Sequence, residues 1–282
     1  MQNKNRNKRA EISEETLKIV EEGFYEFEGK RVEIKEAVDL SVKSTFLLTP
    51  TDSLTLNPTV PTNRAMKIEV LNETTLQGAK RLSDSGKFKK IGVLNFASAK
   101  NAGGGFLGGS QAQEESLARN SALYATLMRI PEYYHYHKRV NKALLYSNHI
   151  IYSPKCPVFR LDNGELLSEP YLVDFITSPA PNRGAITNNQ PHFVDKIDEV
   201  FKERIVLVLR LAVAQGCEAL VLGAWGCGVF RNKPEKVAEL FGEVLLRTGE
   251  FANAFEYISF SIPENRKNPV NSLAFERVFA LK

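Results

Sequence analysis

The 282-residue chain is 43% hydrophobic and 25% charged, the balance of a globular protein long enough to bury a large core. A formal charge of +4 gives no ground for nucleic-acid binding, and three widely spaced cysteines (Cys156, Cys217, Cys227) exclude a disulfide framework or a thiolate zinc site. No apolar run reaches the ~20 residues of a bilayer span and no apolar stretch follows the opening charges, so an intracellular, cytoplasmic, reduced protein is expected.

The chain begins with Lys4, Arg6, Lys8 and Arg9 among Asn and Gln, read as a solvated, disordered tail, with attraction to a polyanion as the alternative. An amphipathic helix follows over 11–22, then short strands at 31–34 and 45–48 and a polar, Pro-containing stretch over 49–64. Residues 1–64 hold too little apolar surface for a core of their own, so they are expected to pack as an extension on a main domain spanning 65–282. That domain opens with a strand at 67–71. Thr74-Thr75-Leu76-Gln77 has capping-box spacing and starts a helix to about residue 83. A buried strand at 91–96 leads into a glycine-rich loop and a helix over 113–128. Further strands are predicted at 149–152, 172–177, 219–223 and 257–262, with helices at 194–215, 234–248 and 272–281. Residues 154–169, with Pro154, Pro157 and Asn163-Gly164, read as an inserted loop or hairpin. Apolar strands alternating with helices indicate a three-layer α/β domain.

The segment VLNFASAKNAGGGFLGGSQAQEES, residues 93–116, runs from strand through loop to helix. Glycines at 103, 104, 105, 108 and 109 let backbone N–H groups approach an anion, and the helix start adds unpaired donors, as in a pyrophosphate cradle. It has no GK[ST] ending, so it is not a nucleoside-triphosphate loop, and no acidic residue follows where a dinucleotide site needs one. On glycines alone, a flexible connection remains an alternative. Glu114 and Glu115 sit in the first helical turn and point about 100° apart. They therefore cannot flank a bond as two separated glycosidase carboxylates do. One can face a ligand while the other braces it; a bland alternative is that both acids simply suit the helix dipole.

A second strand–glycine loop–helix unit, VLGAWGCGVF at 221–230, precedes Pro234. Cys227 stands there between glycines with no His nearby in sequence, so close backbone approach is expected of it rather than a catalytic thiol. His135, His137, His149 and His192 show no ligand spacing, and Tyr133–His137 reads as an aromatic surface loop.

Gly103-Gly104-Gly105, seven residues, then Gln113-Glu114-Glu115 resembles the tri-glycine-to-QEE signature of poly(ADP-ribose) glycohydrolases, in their bacterial-type branch. NETTL at 72–76, YSPKCPVFR at 152–160 and GAWGCGVFRN at 223–232 extend the resemblance to most of the chain. Ala102 departs from it, since Pro often precedes the glycines in that branch. The resemblance implies a macrodomain, with a mixed, mostly six-stranded sheet between helices. It also implies hydrolysis of ribose–ribose bonds in poly(ADP-ribose), free or on ADP-ribosylated proteins, with ADP-ribose as product. Glu115 and Glu114 would then be catalytic. Asn101, Gly103, Gly104, Gly105, Phe106, Leu107 and Gln113 would bind substrate from the first loop, and Gly226, Cys227, Gly228, Val229 and Phe230 from the second. Phe230 would lie near the terminal ribose; from the residues alone, Trp225 is expected in the core, and 177–182, at a strand end, is a candidate border of the adenine pocket.

Cleavage of such a bond passes through an oxocarbenium-like state, so the leaving hydroxyl needs a proton and the carbon needs water. Glu115 would give the one and activate the other, while Glu114 and Gln113 hold the ribose. The helix dipole should lower the pKa of Glu115 and the bound diphosphate raise it again. No metal or cofactor, membrane or nucleic acid is expected, and the chain is expected to be monomeric. Two other readings share the loops: an ADP-ribose-binding module without catalysis, and a mono-ADP-ribosyl hydrolase.

Overall fold

The computed structural model describes residues 2–61, 65–246, 249–264 and 269–279. The chain opens with helix α1 (Gln2–Glu22), so the basic start is helical rather than disordered. Composition hides this, because the order comes from distant acceptors. Arg6 Nε donates to Gly108 O and Arg9 Nε to Gly109 O, both at 2.8 Å. Strands β1 (Phe24–Phe27) and β2 (Lys30–Glu33) form a hairpin about Glu28 and Gly29, whose φ values of 50° and 74° suit a tight two-residue turn. Helix α2 (Lys35–Ser44) leads to β3 (Phe46–Leu48). The stretch over 49–64 contains a short helix, α3 (Pro50–Thr55), and residues 62–64 lie outside the described part.

Strand β4 (Lys67–Leu71) and helix α4 (Thr75–Asp84) follow as the sequence predicts, with both halves of the capping box made between Thr74 and Gln77. Strand β5 (Ile91–Phe96) is buried over all but its last residue. The helix expected over 113–128 is broken into α5 (Gln113–Asn120) and α6 (Leu123–Met128). Between them Ser121 is extended and bridges to Val158, while its hydroxyl accepts from the N–H of Leu123. That tertiary pairing overrides helical periodicity.

Helix α7 (Pro131–His135) corrects the expected surface loop, since Tyr133, Tyr134 and His137 are buried. The segment 154–169 is a hairpin continuous with the sheet, made by β6 (Ile150–Arg160) and β7 (Leu166–Ser178) around Gly164 at φ +95°. Then come α8 (Arg183–Asn189), α9 (Ile197–Ala214), β8 (Ala219–Leu222), α10 (Pro234–Leu245), β9 (Tyr257–Ser261) and α11 (Val270–Phe279). The predicted ends of α10 at 247–248 and of α11 at 280–281 fall outside the described residues.

Apart from the β1–β2 hairpin, the strands make one mixed sheet in the order β3-β6-β7-β5-β8-β9-β4, with β6 antiparallel to both β3 and β7. It has seven strands rather than about six, because β3 from the opening segment joins the edge. One apolar layer packs α9, α10 and α11 on one face; another packs α1, α4, α5 and α6 on the opposite face. Strands β5 and β8 are adjacent and parallel, so their following loops emerge side by side at the same edge of the sheet. Among the described residues no helix is long and apolar enough to cross a membrane.

Candidate active site

Those two loops border a cleft of about 600 Å³. Its walls include 96–101 after β5, 111–117 at the start of α5, and Trp225, Gly226, Gly228, Val229 and Phe230 after β8. Each member of the QEE triplet is held by a different contact. Gln113 is used as mortar between α5 and β5. Its Nε2 donates to Leu94 O at 2.7 Å and its Oε1 accepts from Phe96 N at 2.9 Å. Both ends of its amide are thus engaged by the strand.

Glu114 is 3% exposed and accepts from Ser98 N at 2.7 Å and Asn95 Nδ2 at 3.3 Å. Burial pushes its pKa up to about 8, helped by the charge of Glu115 and opposed by the hydrogen bonds from Ser98 and Asn95. Around neutral pH this carboxyl is therefore mostly a neutral acid that can also donate. Glu115 lies on the cleft wall, its Oε1 accepting from Gly105 N at 3.0 Å. Gly104, at φ +59°, passes so close that a Cβ there would sit 2.4 Å from that same oxygen.

The tri-glycine loop is not an open anion cradle. Apart from that of Leu107, most of its N–H groups turn inward: Gly104 donates to Asn101 O, Phe106 to Gly103 O, Gly108 to Gly105 O, Gly109 to Phe106 O and Ser110 to Gly105 O. Gly103, Gly104, Gly105, Phe106 and Leu107 do not line the cleft, although Asn101 does. Phe106 is buried with its ring against Tyr124 at 4.8 Å. The loop is a folded bracket for Glu115. Its outer face is gripped by cations on consecutive carbonyls, Arg6 on Gly108, Arg9 on Gly109 and Arg119 Nη1 on Ser110 at 2.6 Å. Ser13 Oγ adds a bond to Phe106 O at 2.8 Å.

The second loop has the properties expected of the first. The N–H groups of Gly226, Gly228, Val229 and Phe230 make no hydrogen bond within the described residues, whereas the neighbouring N–H of Cys227 donates to Ala224 O. Gly226 is at φ +72°, and a Cβ there would meet Ala180 and Asn232, so only glycine fits. Cys227 is not on the cleft wall, and burial raises its pKa to about 12, which leaves a thiol rather than a nucleophilic thiolate. Trp225 is fully buried against Phe201 and is also one of the residues that border the cleft. Phe230 lies beside Tyr146, ring centroids 6.1 Å apart. From the TSPAPN segment, Ala180 reaches the wall.

Sequence reasoning missed Tyr146 and Asp162, both on the wall. Tyr146 is set by an unusual φ of 58°, which nothing in its neighbours announces. Asp162 comes from the hairpin turn and accepts from Ser116 Oγ at 3.0 Å. Among the described residues no group of three or more His, Cys, Asp or Glu side chains is gathered as metal ligands.

A family model described as microbial-type PARG, catalytic domain, matches residues 13–161, more than half of the chain. The chain belongs to the microbial-type poly(ADP-ribose) glycohydrolase family. Among solved structures of this family, the poly(ADP-ribose) glycohydrolase of Thermomonospora curvata is 44% identical, with 97% of this chain and 100% of that chain covered and a TM-score of 0.89. The same enzyme bound to the inhibitor ADP-HPD aligns at 44% identity over 96% of this chain and 99% of that one, TM-score 0.89. The glycohydrolase of Deinococcus radiodurans in complex with ADP-ribose is 39% identical over 86% and 96% of the two chains, TM-score 0.80. No curated protein sequence matches the chain. The seven-stranded sheet is thus a macrodomain-like architecture shared with these glycohydrolases.

Proposed function

We propose that the chain hydrolyses the ribose–ribose bonds of poly(ADP-ribose) and releases ADP-ribose, with Glu115 as general acid and base. The observation that carries this is one carboxylate, held on the cleft wall by Gly105 N–H, in the same cleft as four open N–H groups of the neighbouring loop. The cleft volume suits one nucleotide-sized unit. The open amides of Gly226, Gly228, Val229 and Phe230 would take the diphosphate, and Phe230 with Tyr146 would border the sugar and base.

In this scheme Glu115 protonates the departing hydroxyl as the anomeric carbon gains oxocarbenium character, then takes a proton from the water that attacks that carbon. Neutral Glu114 donates to a ribose hydroxyl and, being uncharged, leaves room for the diphosphate's charge nearby. Gln113 keeps α5 seated on β5. Gly103–Leu107 act through Glu115 by shaping its bracket. Acid, base and water suffice, so no cofactor enters. Deinococcus glycohydrolase crystals with ADP-ribose support the same ligand here. Three free cysteines are consistent with a reducing, cytoplasmic setting, where the chain would act as a monomer on polymer carried by proteins. Residues 1–64 would serve the 65–282 domain as a structural support of the loop.

Glu115→Gln should lower the release of ADP-ribose from polymer by about a hundred- to ten-thousandfold while leaving ADP-ribose affinity near wild type. Polymer turnover close to wild type in that variant would remove Glu115 from its role. Loss of ADP-ribose binding together with turnover would mean that it holds the product rather than moving protons.

A further inference from the structure

Beside the cleft the chain carries a concentration of positive charge that the chemistry above does not use. Between Glu132 and Asp162 the sequence holds no Asp or Glu, in a chain with 33 of them among 282 residues, so cations there lack partners close in sequence. Lys138, Arg139 and Lys142 fall in that stretch, just after α7, and all three are exposed. Lys100, on the cleft wall, is exposed too. Among the described residues none of the four makes an ion pair or a side-chain hydrogen bond. By contrast Lys80, Lys202 and Lys236 are each paired with a carboxylate.

Packing against the cleft fixes where these charges stand. The single helical turn Tyr136–Val140 closes on a bond from Asn141 N to Tyr136 O at 2.8 Å. Within it His137 is buried, its Nδ1 2.9 Å from Tyr133 O and its Nε2 2.8 Å from Ser147 Oγ. The His137 ring meets that of Tyr146, a wall residue, at 5.9 Å between centroids. Lys138 and Arg139 follow His137 directly, and Gln190 holds the next segment by donating to Lys142 O at 3.1 Å and accepting from Leu144 N at 2.8 Å. Lys100 comes to the same turn from the loop after β5. Burial lowers the pKa of His137 to about 4, against its bond to Tyr133, and the charges of His149, Arg204 and Lys100 contribute. Lys100 is also anchored at the site, since Ser98 Oγ accepts from Lys100 N at 3.3 Å while Ser98 N donates to Glu114.

We propose that Lys100, Lys138, Arg139 and Lys142 form a surface that holds, by its diphosphates, the part of a poly(ADP-ribose) chain lying outside the cleft. The proposal rests on the function proposed above. Each unit of that polymer brings a doubly charged diphosphate. A chain with one unit in the cleft must leave it at the mouth, where the exposed Lys100 stands. Exposed ammonium and guanidinium groups with no carboxylate to abandon release only counterions from the polymer when they meet it. The surface then adds affinity for polymer and none for free ADP-ribose.

The test measures binding of ADP-ribose and of a size-fractionated polymer of several units to the Glu115→Gln protein, with and without the combined changes Lys138→Gln, Arg139→Gln and Lys142→Gln. These three side chains are exposed and line no part of the cleft, so the melting temperature should hold. Polymer binding should weaken about tenfold, the sum of three exposed ion pairs, while ADP-ribose affinity stays unchanged. The slope of log affinity against log salt should flatten by about two, at about 0.7 for each phosphate contact on a single strand. Equal loss for both ligands, undiminished polymer binding or an unaltered salt slope overturns the surface. Single-stranded DNA of matched charge is the control. If it binds as tightly as the polymer and loses as much on the triple change, the surface serves nucleic acid and its assignment to the polymer falls. Polymer cleavage by the unmutated chain is followed in parallel. Absence of ADP-ribose release there overturns the proposed function itself, whereas release with polymer binding untouched by the triple change overturns only the surface.

Discussion

Gly104→Ala places the first carbon of a side chain 2.4 Å from Glu115 Oε1 and asks alanine to adopt φ +59°. The backbone strain costs about 1–2 kcal/mol, which a core of this size tolerates. The carboxylate, as the movable end of its side chain, must yield instead. Turnover should therefore fall about a hundredfold through misplacement while the melting temperature drops only modestly. Steady-state kinetics beside a thermal melt would reveal a larger defect in rate than in folding. Glu114 gives a pH dependence. Its pKa is raised to about 8 when folded from an ordinary value of 4.5, mainly by burial. A raised pKa contributes stability that is fully present below the ordinary value and lost as pH climbs through the folded one. The wild type should lose stability on the order of a few kcal/mol between about pH 5 and about pH 8 from this group, and Glu114→Gln should flatten that slope. Denaturant midpoints at both ends of the range compare the two; parallel slopes would count against a buried neutral Glu114.

At the scale of elements, what was legible in the sequence was what local chemistry decides. The capping box of α4, the buried run of β5 and the strands at 67–71 and 257–261 come from propensity and periodicity, which act within a few residues. The tri-glycine-to-QEE spacing drew attention to Gln113, Glu114 and Glu115, which line the cleft, and to the glycines, which do not. What it did not convey was which loop keeps its amides open, since that depends on whether each N–H turns inward to a neighbour's carbonyl or outward to space. The break at Ser121 was hidden because its partner Val158 lies on another strand, and Tyr146 because no neighbouring residue type signals its φ of 58°. The helical start of the chain was hidden likewise, its acceptors being about a hundred residues away, at Gly108 and Gly109.

For the molecule as a whole, the opening segment belongs to the same interior as the sheet. Ile19, Tyr25, Ile34 and Val38 are buried in one apolar layer with Leu117, Phe159 and Val173, and β3 covers the edge of β6. Removing residues 1–64 would uncover that layer and a strand edge together. The truncated chain should be recovered largely as aggregate, or with a strongly lowered melting temperature; a soluble, fully active 65–282 fragment would mean the segment is dispensable. The three arginines on Gly108, Gly109 and Ser110 carry a practical corollary. Two of them ride on α1, so the carboxylate of Glu115 takes its seat partly from the first three turns of that helix. An affinity handle or fusion partner joined ahead of that helix should disturb the bracket of Glu115, which kinetic constants compared with and without one would show.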